Sequence, residues 1–307
     1  MTRYRILSLD GGGIRGLLTV VLLQELEAAV PGWLDQVDLI AGTSTGGLIA
    51  LGLAHGLAPA DLRTLYYDKG PLIFQDSLLD DTRDLGRMLG AEYDTRHLSL
   101  ELDNLLGRTA LGDLNKKVLI CAFDLDNNQV DPQQRTWKPK FFHNYEGQDS
   151  DGAMEARQVG LYTSAAPTYF PSVDGYIDGG VVANNPSMAA LAQTQDPRIE
   201  WSVRPHPEDL VLLSIGTGKR LHHVKGQRHD WGYVQWARPL LDIMLDGIAD
   251  VAHYQCQQLL RDRYCRISPL LPQPIDLDGW QMRDELVAIG KEVDLTAAIA
   301  WLREYWM

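Results

Sequence analysis

Short continuous apolar runs, each bounded by polar or glycine-rich turns, recur along this chain. Runs of this length and composition are typical of strands that are buried on both faces of a parallel sheet. Four such strands are predicted, at residues 4–9, 37–41, 117–123 and 210–215. A fifth and shorter strand is predicted to end at Ile177, immediately before Asp178.

Segments with the apolar spacing of helices alternate with these strands. The predicted helices are 17–30, 45–54, 60–67, 153–165, a helix opened by Pro186, and most of 231–307. This alternation predicts an α/β fold with a mostly parallel central sheet flanked by helices, in three layers α/β/α. The pattern contains no repeat, low-complexity stretch or linker. One domain is therefore expected over 1–307, with a core at about 4–218 and a helical C-terminal portion at about 231–307.

The charge of the chain narrows the classes of partner. A formal net charge of −13 and a pI near 5.0 argue against binding to a nucleic-acid polymer, which needs a basic face. The same charge disfavours simple adsorption to an anionic membrane, although a local basic patch could still act.

Three further features predict a cytoplasmic location. The N-terminal residues lead directly into the first strand without a secretory signal. The longest apolar stretch, 17–30, is interrupted by a glutamine and two glutamates, so a membrane-spanning helix is not expected. The cysteines are odd in number and lack metal-ligand spacing, as buried thiols of a reducing compartment do: Cys121, Cys256 and Cys265.

The most informative local motif is the pentapeptide that runs from Gly42 through Ser44 to Gly46. It lies between a predicted strand at 37–41 and an apolar helical run at 48–53. A G-x-S-x-G sequence between a strand and a helix is typical of a sharp turn that exposes a nucleophilic serine. The two glycines let the strand and the helix approach each other closely.

A glycine-rich loop at 11–16 follows the first strand and also fits the dinucleotide-binding pattern G-x-G-x-x-G at Gly11, Gly13 and Gly16. That function needs an acidic residue at the end of the second strand. Asp35 and Asp38 precede that strand instead, and the serine turn follows it.

The alternative function of this loop is an oxyanion hole. Consecutive glycines expose backbone N–H groups that can stabilise a developing negative charge. On this interpretation Gly11, Gly12 and Gly13 are the donors, and Arg15 lends a fixed charge or braces the loop.

A nucleophilic serine needs a base, and the sequence offers two kinds. The chain has eight histidines, none of which lies in a glycine-rich turn after a strand. Asp178 does, because it ends a predicted strand and is followed by Gly179 and Gly180. Burial would raise the pKa of this carboxyl and make it a stronger base. A histidine-dependent triad is the alternative.

Three motifs together resemble the signature motifs of the patatin-like phospholipases. They are the segments 10–16, 42–47 and 178–180, in that order. Further similar stretches are 163–170, 184–186 and 214–218. The resemblance covers about 4–218 and does not extend to the helical segment after it.

The resemblance implies a serine–aspartate dyad that hydrolyses ester bonds of glycerolipids, without a metal or cofactor. Ser44 would be the nucleophile, Asp178 the general base, and the Gly11–Gly13 loop with Arg15 the oxyanion region. Gly16, Gly42, Gly46, Gly179 and Gly180 would support these turns. The expected activity is that of a phospholipase A, lysophospholipase or carboxylesterase.

A glycerolipid substrate implies transient contact with a membrane or micelle, so a peripheral membrane location is also expected. The candidate contact residues are 71–74, 78–79, Trp231, Tyr233 and Trp236. A basic stretch, Lys219 to Arg228, could attract lipid head groups or a negatively charged small regulator. The alternative function is therefore a bacterial phospholipase effector that a nucleotide second messenger switches on.

Overall fold

The computed structural model describes residues 3–73, 93–219, 221, 223–224 and 231–307. Its strands are β1 (Tyr4–Leu9), β2 (Leu39–Thr43), β3 (Lys117–Asp124), β4 (Lys138–His143), β5 (Tyr176–Asp178), β6 (Leu210–Ile215) and β7 (Tyr264–Ile267). They form one sheet in the order β4-β3-β2-β1-β6-β7, with β5 also paired to β3. The pairs that involve β1, β2, β6 and β7 are parallel, whereas β4 and β5 run antiparallel to β3.

The helices lie on both faces of this sheet. They are α1 (Gly16–Ala29), α2 (Thr45–His55), α3 (Pro59–Thr64), α4 (Gly70–Ile73), α5 (Arg96–Leu106), α6 (Ala156–Ser164), α7 (Gly180–Ala183), α8 (Ser187–Thr194), α9 (Tyr233–Leu260), α10 (Arg283–Glu292) and α11 (Thr296–Trp301). A π-helical segment, Leu65–Lys69, joins α3 to α4.

Alternate side chains of the central strands enter two separate hydrophobic clusters. Leu7 and Leu9 of β1 pack with residues of α1, α2, α6 and α10 on one face. Ile6 of the same strand packs with residues of α8 and α9 on the other face. All six residues of β6 are buried, as expected for a strand covered by helices on both sides. The predicted α/β fold class, in three layers, is confirmed.

The sequence pattern predicted neither β7 nor β4 as a strand, and the composition of β4 shows the reason. It begins with Lys138, Pro139 and Lys140, and its first two residues are exposed. Lysine and proline are typical of edge strands, because they discourage pairing with another chain, and β4 is an edge. Because its first residues are polar, β4 lacks the continuous apolar run from which the other strands were predicted.

The register of the sheet places the serine turn after β2 and the Asp178 turn after β5 next to each other. Thr43, the last residue of β2, is opposite Cys121 of β3. Asp178, the last residue of β5, is opposite Ala122, the next residue of β3. Ser44 follows Thr43 directly, so Ser44 and Asp178 both leave the sheet beside the same part of β3. This edge is where parallel α/β sheets hold their ligands.

Within the described residues, no helix combines the length and the apolarity that crossing a bilayer requires. Of the predicted membrane-contact residues, Phe74, Leu78 and Leu79 lie outside the described residues, as do His222, His229 and most of the basic stretch.

Candidate active site

Ser44 is held in a conformation that a residue with a Cβ rarely adopts. Its φ and ψ are 53° and −125°, between the end of β2 and the start of α2. Backbone strain of this kind costs about 1–3 kcal/mol and persists only where the surrounding packing enforces it. A Cβ on Gly46 would overlap the carbonyl oxygen of Leu9, and one on Gly42 would overlap the backbone of Gly46. The close approach of β1, β2 and α2 therefore fixes the serine turn.

Thr163 of α6 fixes the backbone of Ser44 through a hydrogen bond. Its hydroxyl oxygen accepts a hydrogen bond from the amide of Ser44 at 2.8 Å. The same hydroxyl donates to the carbonyl oxygen of Cys121 at 2.5 Å. Thr163 is fully buried and thus ties the serine turn to the neighbouring strand β3.

Asp178 is a buried carboxylate next to Ser44. It is 5% exposed, and one of its oxygens, Oδ1, accepts a hydrogen bond from the amide of Gly180 at 2.7 Å. Its own amide donates to the carbonyl of Ala165 at 2.9 Å, which fixes the turn.

Burial raises the pKa of Asp178 to about 6, and the hydrogen bonds from Ser44 and Gly180 lower it by less. The Ser44 hydroxyl therefore lies near enough to act on this carboxylate as a donor. Of the two hydrogen bonds, the one from Ser44 lowers the pKa of Asp178 more than the one from Gly180.

The amides of the glycine loop are not equivalent. The Gly11 amide donates to the carbonyl of Asn184 at 3.0 Å and so is already in use. Among the described residues, the amides of Gly12 and Gly13 form no hydrogen bond. Gly13 has a φ of +59°, and a Cβ there would overlap the backbone of Leu277. Of the three predicted donors, Gly12 and Gly13 have N–H groups available.

Arg15 is a buried brace of this loop. Its guanidinium donates to the carbonyl oxygen of Gly12 at 3.3 Å and to that of Gly218 at 3.5 Å. Gly16, the next residue, lies so close to Thr45 and Tyr66 that a Cβ would overlap the Thr45 hydroxyl. The loop is therefore fixed both to the helix after Ser44 and to the turn after β6.

Asp10 and Arg266 form a buried ion pair that the sequence pattern did not reveal. Asp10 is 4% exposed, and the two guanidinium nitrogens of Arg266 donate to its two oxygens at 3.1 and 2.5 Å. Arg266 also donates to the hydroxyl of Ser214 at 2.6 Å. Burial raises the pKa of Asp10, and the Arg266 guanidinium lowers it by less. Because Asp10 directly precedes Gly11, the pair anchors the glycine loop to β7.

The serine turn, Asp178 and the glycine loop line one cleft, which is open to solvent and encloses about 1250 Å³. Ser44, Asp178 and the Gly11–Arg15 loop are at one wall. The other lining residues are mostly apolar, and they include Leu48, Leu65, Tyr66, Ile73, Leu98, Leu102, Tyr169, Phe170 and Leu245. No histidine is among the described residues that line the cleft.

The family model for patatin-like phospholipase matches residues 7–191 of the chain. The chain belongs to the patatin-like phospholipase family. The matched segment contains all three predicted motifs, and the family-level prediction of a lipid acyl hydrolase is confirmed.

Patatin-like relatives come from both bacteria and plants. The chain is 32% identical over 271 residues to a cGAMP-activated phospholipase of Pseudomonas aeruginosa, with 86% of this chain and 78% of the relative covered. It is 31% identical over 294 residues to patatin-like protein 1 of Oryza sativa subsp. indica, with 81% and 69% covered. It is 26% identical to protein teg of Priestia megaterium over the full length of both chains.

The dinucleotide-binding alternative for the glycine loop meets a specific obstacle in this patatin-like fold. The carboxylate of Asp38 accepts a hydrogen bond from the amide of Arg5 at 2.7 Å, before the start of β2. At the other end of β2, where an acid is required, Ser44 follows Thr43. The acid and the glycine loop are therefore at opposite ends of the sheet.

Proposed function

We propose that the chain hydrolyses ester bonds of glycerolipids with Ser44 as nucleophile and Asp178 as general base. The observation that carries this proposal is a buried carboxylate, with a pKa raised to about 6, beside a serine held at positive φ. A base with a pKa near the working pH combines a useful ionised fraction with useful basicity. The apolar cleft beside them suits the acyl chain of a lipid.

The reaction begins when the Ser44 oxygen attacks the ester carbonyl carbon and Asp178 takes the hydroxyl proton. The carbonyl oxygen becomes an oxyanion, and we assign its stabilisation to the amides of Gly12 and Gly13, which line the cleft. One well-placed donor of this kind contributes about 3–4 kcal/mol. Collapse of this intermediate breaks the ester bond, and the leaving alcohol takes the proton from Asp178.

The second half of the reaction releases the acyl group. Asp178, ionised again, takes a proton from a water molecule that attacks the acyl-serine carbonyl. The new tetrahedral intermediate collapses to a free fatty acid, and Asp178 returns the proton to the Ser44 oxygen. The carboxylate has its Oδ1 fixed by the Gly180 amide, so its other oxygen is the one assigned to proton transfer.

We also propose that residues 1–307 act as one catalytic domain in the cytoplasm that contacts a membrane or micelle surface transiently. Leu72 is 42% exposed in α4, and Ile73 on the same helix lines the cleft. This helix overlaps the predicted contact segment 71–74 and borders the cleft.

The direct test is hydrolysis of phosphatidylcholine in mixed detergent micelles, with fatty acid and lysolipid measured by mass spectrometry. The wild type is expected to release both products at equal rates at first, and Ser44→Ala is expected to release neither. Turnover by Ser44→Ala would contradict the nucleophile. Loss of turnover on changing one histidine, such as His253→Ala, would favour a histidine-dependent triad instead.

A second candidate function is a phospholipase switched on by a nucleotide second messenger. The similarity to the cGAMP-activated phospholipase of P. aeruginosa favours it, because that alignment covers 86% of the chain. The test adds cGAMP to the same micelle assay over a range of concentrations. A saturable rise in rate favours the switched enzyme, and a constant rate favours a stand-alone hydrolase.

A further inference from the structure

Among the charged side chains that line the described cleft, the negative ones outnumber the positive ones. Glu101, Asp178 and Asp246 contribute carboxylates, whereas Arg15 contributes a guanidinium. Glu101 is paired with Lys69 at 3.2 Å, and Arg15 donates to the carbonyl of Gly12 in its own loop and to that of Gly218 after β6. Asp178 is the proposed general base. Asp246 is the remaining charge of the described cleft wall.

Asp246 has neither an ion-pair nor a hydrogen-bond partner within the described part of the chain. Its side chain is half-buried on α9 and lines the cleft. Carboxylates of this kind are normally paired or fully solvated, because partial burial without a partner is unfavourable. An unpaired carboxylate on the wall of a substrate cleft is available for a cation of the substrate.

The neighbouring residue fixes where this carboxylate lies relative to the chemistry. Leu245 packs on the turn after Asp178, so closely that a Cβ on Gly180 would be 2.9 Å from Leu245 Cδ2. Asp246 follows Leu245 on the same helix, so it borders the cleft beside the proposed base. A lipid with its ester at Ser44 would have its polar head group near this border.

We propose that Asp246 selects phospholipids whose head group carries an ammonium group, such as choline or ethanolamine, over anionic head groups. This inference rests on the proposed function. The carboxylate attracts the ammonium that choline and ethanolamine lipids carry beside their phosphate, whereas an anionic lipid such as phosphatidylglycerol presents the phosphate charge alone and is repelled. Coulomb energies between partly solvated charges several ångströms apart correspond to rate differences of about fivefold.

The test must separate the cleft from the interface, because the net charge of −13 disfavours any anionic surface. We therefore specify dihexanoyl phosphatidylcholine, phosphatidylethanolamine and phosphatidylglycerol below their critical micelle concentrations. For each lipid, kcat/KM is divided by that for p-nitrophenyl butyrate, a neutral ester that reports the intact catalytic site.

The variants are Asp246→Asn and a matched control, Asp250→Asn, one turn further along α9. Asp250 is exposed and pairs with Lys219 at 2.6 Å, and it does not line the cleft. We expect the wild type to prefer the two ammonium lipids over phosphatidylglycerol by about fivefold, and Asp246→Asn to reduce this preference to below about twofold. Asp250→Asn should keep the wild-type preference.

Two outcomes would overturn the inference while leaving the proposed function intact. One is a wild type that hydrolyses all three lipids equally or favours phosphatidylglycerol. The other is a preference that Asp246→Asn leaves unchanged. Absence of hydrolysis of all three lipids and of p-nitrophenyl butyrate would instead contradict the proposed function itself.

Discussion

The amide of Ser44 and the hydroxyl of Thr163 form a 2.8 Å hydrogen bond across the boundary between the serine turn and α6. Ser44 lies directly after the last residue of β2, so its amide is outside the ladder of the sheet and needs a partner elsewhere. The Thr163 hydroxyl is both that partner and a donor to the Cys121 carbonyl. The geometry of the serine turn therefore depends on a residue 119 positions away.

Replacing Thr163 by valine tests this dependence. Thr163→Val keeps the side-chain shape but leaves the Ser44 amide and the Cys121 carbonyl without their buried partner, at a cost of about 1–3 kcal/mol. We expect kcat for p-nitrophenyl butyrate to fall about tenfold, since misorientation of the serine costs transition-state stabilisation.

Thr194→Val is the matched control for that variant. Thr194 is buried and donates to the carbonyl of Leu191 at 2.7 Å, and it does not line the cleft. It should lose stability, measured by urea unfolding, and retain kcat. An equal loss of kcat in both variants would mean that Thr163 has no specific effect on the serine.

The raised pKa of Asp178 predicts the pH dependence of turnover. As the proposed base, Asp178 must be ionised, and its pKa is about 6. Initial rates with a soluble ester should therefore rise about tenfold per pH unit below about 6 and reach a plateau above it. A profile that is flat between pH 4.5 and 7.5 would contradict the assignment of the base.

The same pKa predicts that the site lowers the stability of the fold. Burial raises the pKa of Asp178 from 3.8 to about 6, so the folded state holds this proton more tightly than the unfolded state. Its contribution to stability is full below about pH 4 and is lost as the pH rises through about 6. Asp178→Asn removes the charge and keeps an acceptor for the Gly180 amide.

We therefore expect Asp178→Asn to unfold with a free energy about 2–3 kcal/mol higher than the wild type at pH 7.5. The two proteins should be nearly equal in stability at pH 4. Urea titrations at both pH values measure the difference. A destabilised Asp178→Asn at pH 7.5 would mean that the ionised carboxylate is stabilised by its surroundings.

The buried ion pair predicts a non-additive response to mutation. Arg266→Met leaves the Asp10 carboxylate buried without its partner and should lower the free energy of unfolding by about 3–5 kcal/mol at pH 7. Adding Asp10→Asn to that variant removes the uncompensated charge and should recover part of the loss. Urea unfolding of Arg266→Met, of Asp10→Asn alone and of the double variant measures the coupling. If their effects were simply additive, the ion pair would not be what anchors the loop.

Local signals predicted much of this architecture. The strand at Leu210–Ile215 has the predicted limits, and β2 lies two residues further along than the apolar run 37–41 indicated. The helix predicted at 153–165 extends only from Ala156 to Ser164. Continuous apolar runs and glycine turns are local features, so they can be recognised without knowledge of the tertiary contacts.

The partners of the site could not be predicted in this way. Arg266 is 256 positions from Asp10, and neither residue's local sequence specifies the other. The glycine motif predicted that the amides of all three glycines are donors to the oxyanion. The Gly11 amide, however, already donates a hydrogen bond to the carbonyl of Asn184. Such pairings arise only when distant elements pack together, which the sequence of one element does not encode.

The central claim is that Ser44 is the nucleophile and that Asp178 activates it. The most direct measurement is labelling with a fluorophosphonate, followed by peptide mass spectrometry to locate the adduct. We predict a single adduct on Ser44 in the wild type, none in Ser44→Ala, and labelling slowed by at least about 100-fold in folded Asp178→Asn. An adduct on another residue, or unchanged labelling in Asp178→Asn, would contradict this account.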